Sequence, residues 1–581
     1  MKTTLSTQNT FYFKELIKEI SVALLILIVF ALFLFRTKGL IPFDNDGHCD
    51  PWTYYGYFFL GDQHAAIGPS RVDYRLPTIF LGFFLGKFFH TIKFDYLNFL
   101  ILYIGSSMGV YLSARLLFRR EAAFISMIFF ATSGIMIGTL STTYTGPSIL
   151  LSILAIAFAI ASSVMTSYRF FLLVISGAFW GSAIHAHLYS LTYNFILPLY
   201  AMQYFRWRLK SPFPILKDLA TILFFQIVGI ILATAFWGAL NVIFLHGPFI
   251  FFIGQFKLAF NILISDYHIP DWFIRREVGA WLLLGVGLSS GLVFWLSRCS
   301  WSPNIHSRFY LALIPLVTLE AAQLAYNIFG GITLQYDYYY IWFLTPLAIL
   351  LAAIIQISTV NPNLILVYTG IFALVCILST LHTHIVLQPT STYPAMLFAL
   401  LGGLVALTFS FDSKGQFTLP IFLVLLVLMG SEIRPERMGV NVWDLPKVNG
   451  AATYDRIHAG IRFLSHFHFP KRPKFWISVD SKYQMWETIA YPRMYMYCPV
   501  DSLLPKFVPR SSPDWSDSMD FEANDFLVMV APNDVLNTEA EANIRHTLGL
   551  RVKELQRSWI SQNGVSYLIS INFLTRASKS P

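Results

Sequence analysis

Long apolar stretches separated by short polar ones fill the first three-quarters of the chain. Runs of roughly 18 or more apolar residues are typical of helices that cross a bilayer. Such runs predict spans at 20–35, 97–117, 122–141, 147–165, 170–188, 190–205, 218–243, 279–297, 309–328, 340–356, 363–381, 393–411 and 418–430. The pattern therefore predicts a polytopic α-helical membrane protein with about 13 transmembrane helices in residues 1–430.

A shorter apolar run at 78–89 breaks this series. It is too short to span and contains Lys87, so it predicts a helix that lies along the membrane surface. We assign it to the first extracytoplasmic loop, residues 37–96.

The pattern changes again near residue 431, where charge rises and the apolar runs shorten. The segments 474–480, 525–533 and 565–574 have the character of β-strands, and 538–548 that of a helix. Residues 431–581 are therefore predicted to form a soluble α/β domain. They contain no glycine-rich nucleotide loop, no nucleophile elbow and no zinc spacing, which favours a role as a lid or docking surface.

Charge orients the predicted helices. Only 13% of the residues are charged, about half of what a soluble protein carries, and the cations gather at span ends. N-terminal lysines and the group Arg115, Arg119 and Arg120 mark the cytoplasmic side. An odd number of spans then places the C-terminal domain outside. Because these cations account for much of the net charge of +9, no nucleic-acid partner is predicted.

The first outer loop carries the candidate chemistry. Asp44, Asp46 and Asp50 lie close together beside aromatic residues. A carboxylate can accept the proton of an incoming hydroxyl, and a neighbouring carboxylate can raise its pKa or share a metal. The structural alternatives are a turn at Asp44 and Asp46 and a helix N-cap at Asp50, since Pro51 follows it.

This layout resembles the GT-C superfamily of integral-membrane glycosyltransferases, which includes protein mannosyltransferases, aminoarabinose transferases and oligosaccharyltransferases. Its members place catalytic acidic residues in the first outer loop and follow it with surface helices, many spans and often a soluble outer domain. The matching residues are Asp46 and Asp50, the aromatic stretch DPWTYYGYF, and Tyr74 and Arg75 before Leu76-Pro77. The motif similarity covers about residues 43–120, and it is strongest to bacterial members.

The resemblance implies an inverting sugar transfer from a polyprenyl-phosphate-linked donor to a glycan, lipid or protein acceptor. A first-loop carboxylate would be the general base. The location implied is a bacterial inner membrane, and membrane lipids are further partners. Candidate substrate-binding residues are Tyr54, Arg71, Tyr74, Arg75, Arg275, Arg276, Asp337 and Tyr338. Interface anchoring is the alternative for the arginine pair 275–276, and an aromatic belt for the tyrosines.

Other polar residues leave alternatives open. Glu320 is predicted to lie within the membrane, where an ionisable group is costly and a functional candidate, and it favours a transporter or lipid flippase as a second hypothesis. An envelope assembly protein without transfer chemistry is a third. His185 and His187 form a poor bidentate pair because residues i and i+2 face different sides of a helix.

The sequence contains no defined set of ligands that would predict a cofactor. A divalent metal, Mg²⁺ or Mn²⁺, remains an alternative at the first-loop carboxylates. Cys49 and Cys498 share the predicted outer compartment, where a disulfide between them could form.

Overall fold

The computed structural model describes two parts of the chain. In the apolar part it describes residues 17–32, 75–88, 92–133, 145–202, 213–254, 303–328 and 341–358. In the C-terminal part it describes 475–479, 506–509, 525–531, 550–562 and 565–576, and a few single positions complete the set.

The apolar part is helical. The helices are α1 (17–32), α2 (Leu76–Phe88), α3 (Ile92–Leu117), α4 (Arg120–Thr132), α5 (Gly146–Val164), α6 (Arg169–Ala186), α7 (Ser190–Asn194), α8 (Leu197–Ala201), α9 (Phe213–Leu245), α10 (Pro303–Ile328) and α11 (Ile341–Ser358). A short 3₁₀ helix, Thr166–Tyr168, precedes α6.

Four segments among the described residues are long and apolar enough to cross a membrane. They are Leu97–Leu117, Gly146–Val164, Thr166–Ala186 and Leu216–Leu245. These coincide within a few residues with four predicted spans, because each is a long uninterrupted apolar run. The short helix α2 agrees with the predicted run at 78–89. The predicted spans 279–297, 363–381, 393–411 and 418–430 lie outside the described residues.

Two predicted spans are wrong as single helices. The segment 190–205 contains the two five-residue helices α7 and α8, and Pro198 lies in the first turn of α8. Proline lacks an N–H and favours a helix start, which fits this interruption. The helix predicted at 122–141 ends at Thr132, where Ser133 takes an extended conformation with φ −66° and ψ 127°.

One end of the helix bundle, here called the Arg115 end, is defined by ion pairs and polar contacts. Arg115 Nε donates to Glu19 Oε2 at 2.8 Å, which joins the start of α1 to the end of α3. Arg308 Nη1 donates to the carbonyl of Leu117 at 2.8 Å and adds the start of α10. The backbone N–H of Arg119 donates to Gln356 Oε1 at 3.0 Å and adds the end of α11.

The opposite end, here called the His187 end, gathers the other termini of the same helices. Ser148 Oγ donates to the carbonyl of Ala183 at 3.2 Å, which joins the start of α5 to the end of α6. Tyr103 Oη donates to the carbonyl of Ala131 at 3.0 Å and adds the end of α4. Trp342, the second residue of α11, packs near His187. The helices therefore run between two ends of different composition.

Close backbone contact joins α6 to α9. A Cβ atom at Gly177 would overlap the backbone of Gln226, and one at Gly229 would overlap the carbonyl of Val174. Small residues that let helix backbones approach are characteristic of membrane helix interfaces. At the Arg115 end, Arg169 pairs with Asp218 at 2.5 Å and fixes the same two helices.

The C-terminal part forms a mixed sheet. Its strands are β1 (Phe475–Val479), β2 (Lys506–Pro509), β3 (Phe526–Ala531), β4 (Leu550–Gln562) and β5 (Val565–Arg576), in the order β2-β1-β3-β5-β4. β1 is parallel to β2 and β3, with Ile477 opposite Val528, whereas β5 is antiparallel to β3 and β4. Strands lie in all three segments that the sequence predicted, while β2 and β4 were not predicted.

Candidate functional site

Of the residues predicted to carry the chemistry, the described part of the chain contains Arg75. The others lie outside it: Asp44, Asp46, Asp50, Tyr54, Arg71, Tyr74, Arg275, Arg276, Asp337 and Tyr338. Arg75 precedes α2, and its carbonyl accepts the N–H groups of Thr78 and Ile79 at 3.1 Å each. It therefore stands at the start of the short helix, with its side chain partly buried.

His187 lies one residue beyond α6 and is 2% exposed. Its ring stacks on Tyr189 with centroids 5.6 Å apart and packs against Trp342 at 5.8 Å. Burial lowers the pKa of His187 well below its ordinary value, and the nearby charge of Arg75 lowers it further.

Tyr193 completes this group. Its ring stacks on Trp342 with centroids 4.9 Å apart and planes inclined by 11°, and it meets Phe343 edge-on at 5.8 Å. We call His187, Tyr189, Tyr193 and Trp342 the His187 cluster. Its members come from the segment after α6 and the start of α11.

Hydrogen bonds from two membrane helices hold the segment that carries Tyr189 and Tyr193. Gln323 Nε2, on α10, donates to the carbonyl of Thr192 at 2.6 Å. Asn194 Nδ2 donates to Ser152 Oγ, on α5, at 2.8 Å. The interrupted helix is thus fastened by side chains, which compensate for the missing ladder bonds.

A small cavity lies beside the cluster, between α5, the 193–196 segment and α11. Its polar lining is Ser152, Asn194 and Thr345, and Tyr193 and Trp342 form its aromatic wall. Isoleucine side chains complete the lining: Ile149, Ile153, Ile156, Ile196 and Ile341.

His185 and His187 serve different contacts. His185 Nε2 lies 2.9 Å from Thr234 Oγ1, on α9, and its ring packs on Phe251 at 4.8 Å. Since Thr234 donates its proton to the carbonyl of Ile230, His185 Nε2 must be the donor to Thr234. Among the described residues no group of three or more His, Cys, Asp and Glu could hold a metal ion.

Glu320 is buried on α10, with 6% of its surface exposed. Within the described part of the chain its Oε1 makes no hydrogen bond. It lies one helical turn before Gln323, the residue that holds Thr192. The burial of Glu320 therefore agrees with the prediction that this ionisable group lies inside the apolar bundle.

The His187 cluster presents the polar edges of aromatic rings, and Arg75 adds a permanent cation whose charge acts on His187. A guanidinium presents donors in a planar fork that matches phosphate and carboxylate oxygens. Sequence reasoning singled out Arg75 but missed Tyr193, Trp342 and Asn194. The enrichment of tyrosine and tryptophan at span ends was the available signal, but it does not show which rings meet.

No protein-family model and no curated protein matches the chain. Among solved structures, ArnT from Cupriavidus metallidurans bound to undecaprenyl phosphate aligns over 94% of this chain and 97% of its own, with 13% identity and a TM-score of 0.47.

An oligosaccharyltransferase from Archaeoglobus fulgidus, in the apo form, aligns over 82% of this chain and 63% of its own, with 14% identity and a TM-score of 0.39.

Proposed function

We propose that this protein is a membrane glycosyltransferase of the GT-C type, which transfers a sugar from a polyprenyl-phosphate donor to an acceptor at the outer membrane face. The observation that supports the proposal concerns Arg75, the last predicted site residue of the acidic outer loop. It stands at the start of α2, and its charge acts on the buried ring of His187.

The charge distribution supports an outer location for this cluster. The opposite end of the bundle carries the cations Lys18, Arg115, Arg119, Arg120, Arg169, Lys217 and Arg308. Cytoplasmic ends of membrane helices are rich in lysine and arginine. In this proposal the His187 end is therefore the extracytoplasmic end.

The donor phosphate sits near Arg75 in this proposal. Arginine binds phosphate oxygens with two parallel hydrogen bonds, and a low-dielectric surrounding strengthens them. Arg71, Tyr54 and Tyr74 from the same loop, Arg275 and Arg276, and Asp337 and Tyr338 are further proposed substrate contacts. Asp337 and Tyr338 precede Trp342 by five and four positions in the sequence.

A first-loop carboxylate, Asp46, Asp50 or Asp44, is the proposed general base. It accepts the proton of the acceptor hydroxyl while that oxygen attacks the anomeric carbon of the sugar. The bond between this carbon and the phosphate oxygen breaks, and polyprenyl phosphate leaves with the bonding electron pair. Attack opposite the leaving group inverts the anomeric centre. A Mg²⁺ or Mn²⁺ ion at these carboxylates is a further hypothesis.

Sugar transfer by the purified protein tests the proposal. The protein in detergent is supplied with a panel of polyprenyl-phosphate sugars, and the release of polyprenyl phosphate is measured. We expect Asp46→Asn or Asp50→Asn to lower turnover by about 10²- to 10⁴-fold, the usual contribution of a general base. Asp62→Asn, in the same loop, is the matched control and should retain activity. Equal turnover in all four proteins would contradict the catalytic role of this loop.

Glu320 supports a second candidate function, a transporter or lipid flippase. The supporting observation is its burial together with the absence of a hydrogen bond to Oε1 in the described part of the chain. A flippase should move a fluorescent polyprenyl-phosphate lipid across proteoliposomes, lose that activity in Glu320→Gln, and tolerate Asp46→Asn.

A further inference from the structure

The proposed transfer leaves one contact of the first outer loop without a role. Of the aromatic stretch 50–58, the structure describes Phe58, whose side chain is 2% exposed. A Cβ atom at Gly82, on α2, would overlap Cγ, Cδ1 and Cε1 of the Phe58 ring. The ring therefore lies directly on the backbone of α2, in a space that only glycine leaves open.

Gly82 lies in the interior of α2, among buried residues. Glycine inside a helix is less stable than alanine, because its backbone loses more conformational freedom on folding. A glycine at this position therefore needs a packing reason, and the ring of Phe58 supplies it.

The other side of α2 is fixed to the helix bundle. Phe80 and Phe84 each meet the ring of Phe244, on α9, edge-on, with ring centroids 5.9 and 5.7 Å apart. Gly82 lies two positions from both, and residues two positions apart face nearly opposite sides of a helix. Phe58 thus packs on a helix whose opposite side is held by α9.

The contact joins two parts of the predicted site through one helix. Asp50, a proposed base, precedes Phe58 by eight positions, a stretch that reaches about 28 Å when fully extended. Arg75, the proposed phosphate contact, precedes Gly82 by seven positions, about 10 Å along a helix. Fixing Phe58 on Gly82 therefore limits the positions that the carboxylate can take relative to Arg75.

We propose that Phe58 is a positioning residue, which holds the acidic part of the first outer loop on Gly82 of α2 and so sets the place of the general base. This inference rests on the proposed function. A displacement of about 1 Å in a reacting group can cost about 10²-fold in rate. The contact should therefore act on turnover, and the binding of the lipid phosphate, which we assign to Arg75, should not depend on it.

Two substitutions remove the contact from opposite sides. Gly82→Ala keeps α2 helical and displaces the ring, whereas Phe58→Ala removes the ring. In the purified full-length protein in detergent, each should lower kcat for the release of polyprenyl phosphate from a sugar-bearing donor by about 10- to 100-fold. The Kd for polyprenyl phosphate without a sugar should change less than about twofold.

A double-mutant cycle shows whether both substitutions act through the same contact. Once Phe58 is replaced by alanine, the methyl group of Gly82→Ala meets no ring, so kcat should fall no further. Multiplied effects of the two substitutions would overturn the inference, as would an unchanged kcat in folded Gly82→Ala.

Gly105→Ala is the matched control. It also adds a methyl group to a glycine of an apolar helix, where the Cβ atom would lie 3.0 Å from Cδ1 of Leu150, between α3 and α5. Its kcat should equal that of the wild type, and an equal loss of kcat in this variant would contradict the inference. A melting temperature for each variant separates misplacement from loss of folding, because a purely structural contact would lower the melting temperature and leave kcat of the folded protein unchanged.

Hydrogen exchange separates this inference from the proposed function. Backbone amides of a peptide that contains Phe58 should exchange faster in Gly82→Ala than in the wild type, because the loop loses its contact with α2. If exchange changes in this way but the wild type releases no polyprenyl phosphate from any donor, the docking of the loop stands and the transferase proposal fails. If transfer depends on Asp46 or Asp50 while Gly82→Ala changes neither exchange nor kcat, the transferase proposal stands and Phe58 has no positioning role.

Discussion

The two ends of the helix bundle use arginine in different ways. At the Arg115 end, Arg115 pairs with Glu19 at 2.8 Å and Arg169 pairs with Asp218 at 2.5 Å. At the His187 end, Arg75 stands at the start of α2, its charge acts on the buried ring of His187, and aromatic side chains pack against that ring. The first set of arginines fastens helices together, whereas we propose that Arg75 binds an anionic ligand.

The largest expected effect is on stability at the Arg115 end. Arg169 and Asp218 join the starts of α6 and α9, with 14% and 13% of their side chains exposed. Asp218→Ala leaves Arg169 as a largely buried charge without its carboxylate, so we expect a loss of about 3–5 kcal/mol in unfolding free energy. Denaturant unfolding in detergent measures it, and the Kd for polyprenyl phosphate of the folded protein should not change.

The paired replacement Arg169→Met with Asp218→Leu is the control for this prediction. Because both charges disappear together, most of the lost stability should return. An Asp218→Ala protein as stable as the wild type would show that the ion pair does not fasten these helices.

The next largest effect is expected on the affinity for polyprenyl phosphate. It compares a conservative change of Arg75 with the same change of an arginine at the opposite end. Arg75→Lys keeps the charge and loses the planar fork. We expect its affinity for polyprenyl phosphate to fall by about 1.5–3 kcal/mol, roughly 10- to 150-fold, with little change in stability. Arg119→Lys at the opposite end, where the side chain is exposed, should leave the affinity unchanged. Equal effects of the two variants would remove the functional contrast between the ends.

The sequence predicted the described spans because each is a long apolar run, as at Leu97–Leu117 and Gly146–Val164. It did not predict the interruption between α7 and α8, because the apolar composition of 190–205 is the same whether or not the helix is continuous. It also missed β4, whose alternating charged residues, such as Arg551 and Lys553, face solvent on one side of the sheet.

For the candidate site, local reasoning proposed Arg75 from the loop motif. His187 and Trp342 come from segments more than a hundred residues further along the sequence. Which of the many aromatic residues meet is decided by helix packing, including the close approach of Gly177 to α9. Hydrophobic periodicity carries no information about such long-range contacts.

The smallest expected effect is the pH dependence of the Glu19 pair. Burial alone would raise the pKa of Glu19, but hydrogen bonds from Arg115 and Tyr111 outweigh it, so the pKa is lowered. The folded protein then binds fewer protons at this group than the unfolded chain. Its contribution of about 1 kcal/mol is therefore present above the ordinary glutamate pKa, and it is lost as the pH falls through the lowered value.

Unfolding free energies at a series of pH values from about 6 down to about 3 measure this contribution. Glu19→Gln should remove the contribution of this group to the pH dependence of the unfolding free energy, so that the slope becomes flatter. Glu121→Gln is the control, because Glu121 pairs with Arg120 at 3.3 Å with both side chains 52% exposed, and solvent screens such a pair. A wild-type slope retained in Glu19→Gln would mean that α1 is held to α3 by apolar packing alone, and the contrast between the two ends would then rest on Arg169 and Asp218.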